Sequence, residues 1–242
     1  MAKDELYRDP DMKGGFKFDS KVADVFDDML NRSVPCYRMV IEMVATILGK
    51  FLQPGDQVFD LGCSTGETMV ELARKLNHQK LEFTGVDNSP AMLEKANHKA
   101  EMFSLGGNLK FIEADITDLD LPPKTGAVIM NYTLQFLEPA KRPEFLSSIY
   151  NAMRPGGLLI ISEKTISPRQ ETNRTYIDFY QEFKRTNGYS ETEISRKRQA
   201  LENILIPFSI KDNLNLLTEA GFRFPETFFQ WFNFTSFLAF KE

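Results

Sequence analysis

From residue 57 onward, short apolar runs alternate with stretches whose apolar residues recur every three or four positions. The runs 57–61, 81–86, 109–114, 127–130 and 158–162 have the length of buried strands, about five or six residues. Helical stretches separate them, one reaching to about Leu76 and one opening at Ser89-Pro90. That serine suits an N-cap and that proline suits the first helical turn. A β-α-β-α order predicts a parallel sheet with helices on both faces. Two aromatic runs, 226–231 and 234–240, flank Asn233 and predict an antiparallel hairpin closing the sheet.

Ahead of this alternation lie two helical patterns, at about 21–31 and 35–51. Val22, Val25, Phe26 and Met29 carry the first, and Met39, Val40, Met43, Val44 and Ile47 the second. Pro35 suits the first position of the second helix. The residues up to about Gly15 are polar and read as a mobile arm. The stretch 164–206 breaks the alternation. Tyr176, Phe179, Tyr180 and Phe183 fall at helical spacing, and a polar helix at 191–204 follows. Its basic residues include Lys184, Arg185, Arg196, Lys197 and Arg198. It is expected to lie over the C-terminal edge of the sheet, where open α/β sheets place ligands, as a lid or a dimer contact. The expected division is an arm with helices over 1–52 and a Rossmann-like domain, with this insertion, over 53–242.

Charge narrows the choice of partners. The net charge of −5 argues against a broad face for nucleic-acid phosphates, so no direct nucleic-acid binding is expected. Two cysteines and two histidines leave little for a disulfide scaffold or a metal cluster, and no metal is expected. No apolar run approaches the ~20 residues that span a bilayer, and the first residues lack the apolar core of an export signal. A cytoplasmic protein without membrane contact is expected.

The densest chemical signal is Val58-Phe59-Asp60-Leu61-Gly62-Cys63-Ser64-Thr65-Gly66, an apolar strand entering a small-residue turn before a helix. Glycines there let backbone approach a ligand, and the helix N-terminus offers free N–H groups. The segment matches G-x-S-x-G, yet a nucleophilic serine needs a later histidine and none follows His98. It fails the dinucleotide fingerprint G-x-G-x-x-G, because position 64 is serine and the glycines are four apart. It resembles instead the D/E-x-G-x-x-x-G turn of class I S-adenosylmethionine-dependent enzymes. That resemblance implies that Asp60 holds the methionine amino group, with Gly62, Cys63 and Ser64 lining it by backbone. In the same family Asp87, followed by Asn88, accepts the ribose hydroxyls. Asp115, beside Ile116, meets the adenine. Arg154-Pro155-Gly156-Gly157 resembles the turn before the fifth strand. The fold implied is a mainly parallel seven-stranded sheet.

Further segments resemble one particular family. They are Phe26-Asp27-Asp28-Met29, Arg32-Ser33-Val34-Pro35-Cys36-Tyr37, the stretch 131–139 opening on Asn131-Tyr132, the stretch 183–191, and Glu193-Ile194-Ser195-Arg196-Lys197-Arg198 with Leu201-Glu202-Asn203. Together they resemble the carboxy-S-adenosyl-L-methionine synthases, over about residues 18–240. Cys36 stands where that family has a familiar glycine. The resemblance implies a transferase that carboxylates the methyl carbon of S-adenosylmethionine with prephenate as the carbon dioxide source, releasing phenylpyruvate and water. It further implies a homodimer working ahead of a tRNA carboxymethyltransferase in wobble-uridine modification. Tyr37 and Asn131 carry over as nucleoside-pocket residues, and Arg198 as the catalytic residue that meets the new carboxylate, from its own or a neighbouring subunit. A conventional methyltransferase acting on a small acid or RNA, or a non-catalytic S-adenosylmethionine-binding protein, are the competing expectations.

Overall fold

The structure, a computed structural model, describes residues 2–8 and 15–242. A seven-stranded sheet is built from β1 (Gln57–Leu61), β2 (Glu82–Asp87), β3 (Leu109–Glu113), β4 (Thr125–Asn131), β5 (Met153–Lys164), β6 (Arg223–Trp231) and β7 (Phe234–Phe240). Its order is β3-β2-β1-β4-β5-β7-β6. The first five strands pair in parallel, and β7 runs antiparallel to both β5 and β6. The parallel sheet and closing hairpin expected from the pattern are both present. The turn expected before the fifth strand lies inside β5 instead. It forms an irregular step where pairing jumps from Thr125↔Met153 to Ala127↔Leu158. Gly156 supplies the positive φ of 73° that the step requires.

Successive strand residues serve opposite faces, which is why the central strands read as unbroken apolar runs. Val58 packs with Val40, Val44 and Leu48 of α2 (Tyr37–Phe51) and Met69 and Leu72 of α3 (Glu67–Lys75). Phe59, one residue on, packs with Leu146 and Ile149 of α5 (Arg142–Ala152) and Leu216 and Leu217 of α8 (Ile210–Glu219). Each such side chain, fully buried, contributes about 1.5–3 kcal/mol. A third cluster joins α1 (Ser20–Ser33) to Met92 of α4 (Pro90–Met102). As the sequence predicts, Ser89 caps α4 by accepting from the Met92 N–H, and Pro90 occupies the first turn.

Two further expectations need correction. Pro35 does not open the second helix, which starts at Tyr37 after Cys36 in a left-handed conformation, φ 57°. The residue before a proline disfavours helical backbone, and Val34 is extended accordingly. The turn is therefore complete before α2 begins. A left-handed backbone at position 36 also accounts for a glycine being familiar there.

The second correction concerns the N-terminus. Residues 2–8 are docked, whereas Met1 and 9–14, the remainder of the expected arm apart from Gly15, lie outside the described residues. Asp4 is 1% exposed. It accepts a hydrogen bond from the Tyr189 hydroxyl, and its own N–H donates to Asp28. Lys197 Nζ stands 3.7 Å from its carboxylate. Arg196 donates to the carbonyls of Tyr7 and Arg8, and Arg8 pairs with Glu193. This strap ties the start of the chain to α7 (Glu191–Leu201). Removing one partner of a buried ion pair strands the other, so Asp4→Ala is expected to destabilise the chain by roughly 3 kcal/mol in urea unfolding. A change below about 0.5 kcal/mol, the usual size for a surface substitution, would show the strap to be incidental.

The stretch that broke the alternation forms α6 (Gln170–Thr186) and α7, which line the same cavity as the strand ends. Arg142, 1% exposed, ties the chain just after this helical pair to the loop ahead of α5. Its guanidinium donates to the carbonyls of Leu137, Gln135 and Ile206. Its own position in the sequence gave no hint of this role.

Candidate functional site

The cavity at the C-terminal ends of β1, β2, β4 and β5 has a volume of about 650 Å³. Every site residue expected from the sequence lines it: Tyr37, Asp60, Gly62, Cys63, Ser64, Asp87, Asn88, Asp115, Ile116, Asn131 and Arg198. They come from six places in the chain.

The glycine turn holds its shape through positive φ angles at Gly62 (81°), Ser64 (50°) and Gly66 (73°). A Cβ on Gly62 would stand 2.4 Å from Thr133 Cγ2, so a side chain there meets both strain and collision. Gly62 and Cys63 donate their N–H groups to the Val86 carbonyl, which binds the turn to β2. Asp87 completes the link. Its carboxylate accepts from the backbone of Ser64 and of Ser89, each at 2.9 Å. Each oxygen keeps acceptor capacity toward the cavity. Burial pushes the Asp87 carboxyl up, against the backbone donors at Ser89 and Ser64 that lower it.

Asp60 is 2% exposed, and its Oδ1 is buried without a protein partner. Burial, together with the charge of Asp87, pushes its carboxyl up to about 8. Asn131 donates to Thr68 at 3.2 Å, yet its Oδ1 is likewise buried and unpartnered. Orphaned acceptors of this kind are rare in folded interiors and fit a cation or a donor supplied by a ligand. Asp115 is exposed and accepts from the N–H and hydroxyl of Thr117, which lower its carboxyl below the usual range. The Cys63 thiol is buried and pushed well up, mainly by that burial, which makes it a poor nucleophile.

The opposite side of the cavity is basic. Lys164 from the end of β5, Lys184 from α6, and Lys197 and Arg198 from α7 line it. The family resemblance singled out Arg198, whereas Lys184 and Lys197 were noted only as part of a charge run and Lys164 was not singled out. Tyr132, also missed, takes a left-handed φ of 63°, unusual for a bulky residue, and its buried hydroxyl has no partner. Neither His78 nor His98 lines the cavity, and both are exposed. No helix among the described residues is long and apolar enough to cross a membrane.

Comparison with known proteins decides between the competing families. Over 99% of its length the chain is 51% identical to a carboxy-S-adenosyl-L-methionine synthase of Desulfotalea psychrophila, covering 97% of that protein. It is 43% identical to one from Nautilia profundicola, covering 99% of this chain and 100% of that protein. The chain belongs to the carboxy-S-adenosyl-L-methionine synthase family. A methyltransferase domain matches residues 58–157, the segment from β1 into β5. In fold it is similar to an S-adenosylmethionine-dependent methyltransferase of Aquifex aeolicus, with a TM-score of 0.62 at 18% identity, covering 93% of this chain and 100% of that one. Human N-acetylserotonin methyltransferase in complex with S-adenosylmethionine is also similar, with a TM-score of 0.60 at 20% identity over 92% of this chain and 55% of that chain. The family is one of transferases on the class I methyltransferase fold, as the sequence resemblance implied.

Proposed function

We propose that this chain carboxylates the methyl carbon of S-adenosylmethionine, with prephenate as the source of carbon dioxide. The observation that carries this reading is the polarity of this cavity. Asp60 and Asp87 give it an acidic pole suited to an ammonium and to ribose hydroxyls. Lys164, Lys184 and Arg198, beside a Lys197 already paired with Asp4, give it a basic pole suited to a dianion. An ordinary methyl transfer to a neutral acceptor calls for no such pole.

In this reading Asp60 and Asn131 hold the methionine end of the nucleoside substrate, Tyr37 covers it, and the Gly62-Cys63-Ser64 backbone lies against it. Asp87 and Asn88 take the ribose, and Asp115 and Ile116 the adenine. S-adenosylmethionine brings a methyl group made acidic by the adjacent sulfonium. Prephenate loses carbon dioxide and hydroxide as its ring becomes aromatic. The hydroxide takes one methyl proton to give water, and the methyl carbon bonds to the carbon dioxide, so every atom is accounted for. The chain's part is to exclude bulk water and hold the anions in register. No side-chain base is required, which agrees with two histidines that stand away from the cavity.

The same reading includes a cytoplasmic homodimer without a resident metal, feeding a tRNA carboxymethyltransferase and not binding nucleic acid itself. The exposed aromatic pair Phe179 and Phe232, with ring centroids 4.6 Å apart, supports an apolar surface that a second copy would cover. Residues 53–242 would act as the nucleoside-binding domain and 1–52 as its N-terminal cover. The test is mass spectrometry of the adenosyl species after incubation with S-adenosylmethionine, with and without prephenate. A product heavier by one carbon dioxide is expected only with prephenate. Unchanged nucleoside in both samples would sink the reading, and S-adenosylhomocysteine would turn it toward methyl transfer.

A further inference from the structure

Two of the four cations at the basic pole are arranged in a way that electrostatics within the chain does not explain. Lys164 ends β5, which lies beyond β4 on the side away from β2 and β3. It is therefore remote from Asp87 and Asp115 and beyond Asn131, on the flank of the site not used by the nucleoside. Lys184 comes from the last turn of α6 and is 8% exposed. Both ammonium groups border the ring of Tyr180, at 5.1 Å for Lys164 and 4.3 Å for Lys184.

Neither lysine has a carboxylate within ion-pair distance among the described residues. Other buried or half-buried cations are compensated: Lys197 has Asp4, Lys99 has Asp27 and Glu67, Arg32 has Asp28, and Arg142 donates to three backbone carbonyls. A desolvated, unpaired ammonium is unfavourable, and two side by side are worse. Burial, then the charges of Lys164, Lys197, Arg198 and Arg185, pulls Lys184 down to about 7. Burial, then Arg198, pulls Lys164 down to about 8. Contact with one aromatic ring offsets only part of this, about 0.5–2 kcal/mol for each cation. A pair of ammoniums facing a cavity is the arrangement an anion completes.

Resting on the carboxylation reading above, we propose that Lys164 and Lys184 form a carboxylate subsite for the second substrate. It grips the carboxylate that prephenate retains in phenylpyruvate, not the one that is transferred. The choice follows from charge. A carboxylate leaving as carbon dioxide becomes neutral, so a two-cation grip on it would stabilise the ground state more than the transition state and slow the reaction. A grip on the retained carboxylate keeps its full strength throughout. Arg198 remains to meet the carboxylate newly formed on the methyl carbon.

The test uses phenylpyruvate, which keeps that carboxylate and lacks the other. Its binding is followed by calorimetry with the full chain saturated in S-adenosylhomocysteine, which has no methyl group to react. The wild-type chain is expected to bind it, and Lys164→Met and Lys184→Met each to lose about tenfold or more, the loss of a charge-assisted contact. S-adenosylhomocysteine affinity should stay within about twofold, since the subsite lies outside the nucleoside's flank. Thermal midpoints of the ligand-free variants should equal or exceed the wild type's, because a buried unpaired charge has gone.

Several outcomes would overturn the subsite. One is no phenylpyruvate binding to the wild type. Another is prephenate affinity falling in the variants while phenylpyruvate affinity does not. A parallel fall in S-adenosylhomocysteine affinity would give the lysines to the nucleoside's own carboxylate, and lowered thermal midpoints would make them structural. The two readings fail separately. Carboxylated product with lysine-independent phenylpyruvate binding removes the subsite alone. Lysine-dependent binding without carboxylated product removes the reaction alone.

Discussion

Asp60→Asn is expected to weaken S-adenosylmethionine binding by on the order of 100-fold while raising the thermal midpoint of the ligand-free chain. Both effects have one source. Asp60 is buried at the end of β1 with Oδ1 unpartnered and Asp87 nearby, so in the free chain its charge has no compensation. A ligand ammonium supplies that compensation through a charge-assisted hydrogen bond, and the amide cannot match it. Stability and binding therefore move in opposite directions, which a merely structural residue would not do.

The pH dependence carries a definite sign. The Asp60 carboxyl is raised from 3.8 to about 8 in the folded chain. Between those values the folded state holds a proton that the unfolded state has released, so this contribution to stability is lost as pH rises across the window. Glu163, raised to about 8 chiefly by burial, adds a slope of the same sign in wild type and variant alike. It cancels in the difference. Melting curves near pH 5 and near pH 8 should then show the variant's advantage growing with pH. An advantage that does not change, or a variant that binds normally, would mean that the Asp60 carboxylate faces no ligand cation.

How much of this site could be read from the chain depends on the distance over which each feature is determined. The glycine turn and the Ser89-Pro90 helix start carry local signatures, so a short run of consecutive residues is enough to recognise each. The central strands were legible because burial on both faces leaves few polar positions. Of the basic pole only Arg198 was, through the family resemblance. Lys164 and Lys184 are 20 positions apart in different elements, and only the tertiary packing of α6 against the end of β5 brings both to Tyr180. A faint signal was available, since Tyr180 and Lys184 are four apart in a helix and therefore share a face. Asp4 gave none. Its burial depends on Tyr189 and Lys197, at the far end of the chain, so a polar N-terminus reads as a free arm until those partners are placed.

That strap bears on the second large effect, because it fixes the helix that carries Arg198. Ser190 caps α7 in a capping box with Glu193, while Arg196 and Lys197 are tied to residues 4–8. Arg198 lines the cavity next to these anchored residues and is itself exposed, with no ion pair among the described residues. A positioned guanidinium grips a carboxylate through two parallel hydrogen bonds, and a new carboxylate appears only as the carbon–carbon bond forms. Arg198→Ala is therefore expected to cut carboxylated product by on the order of 1000-fold, about 4 kcal/mol of transition-state stabilisation. S-adenosylmethionine affinity should stay within about twofold, since the interaction is absent before reaction. Arg198→Lys keeps the charge without the planar fork and should recover only about tenfold of the loss. Steady-state kinetics and calorimetry on the same preparations check all three. Full recovery with lysine would reduce the residue to a point charge, and equal loss of product and nucleoside affinity would place Arg198 in the nucleoside subsite instead.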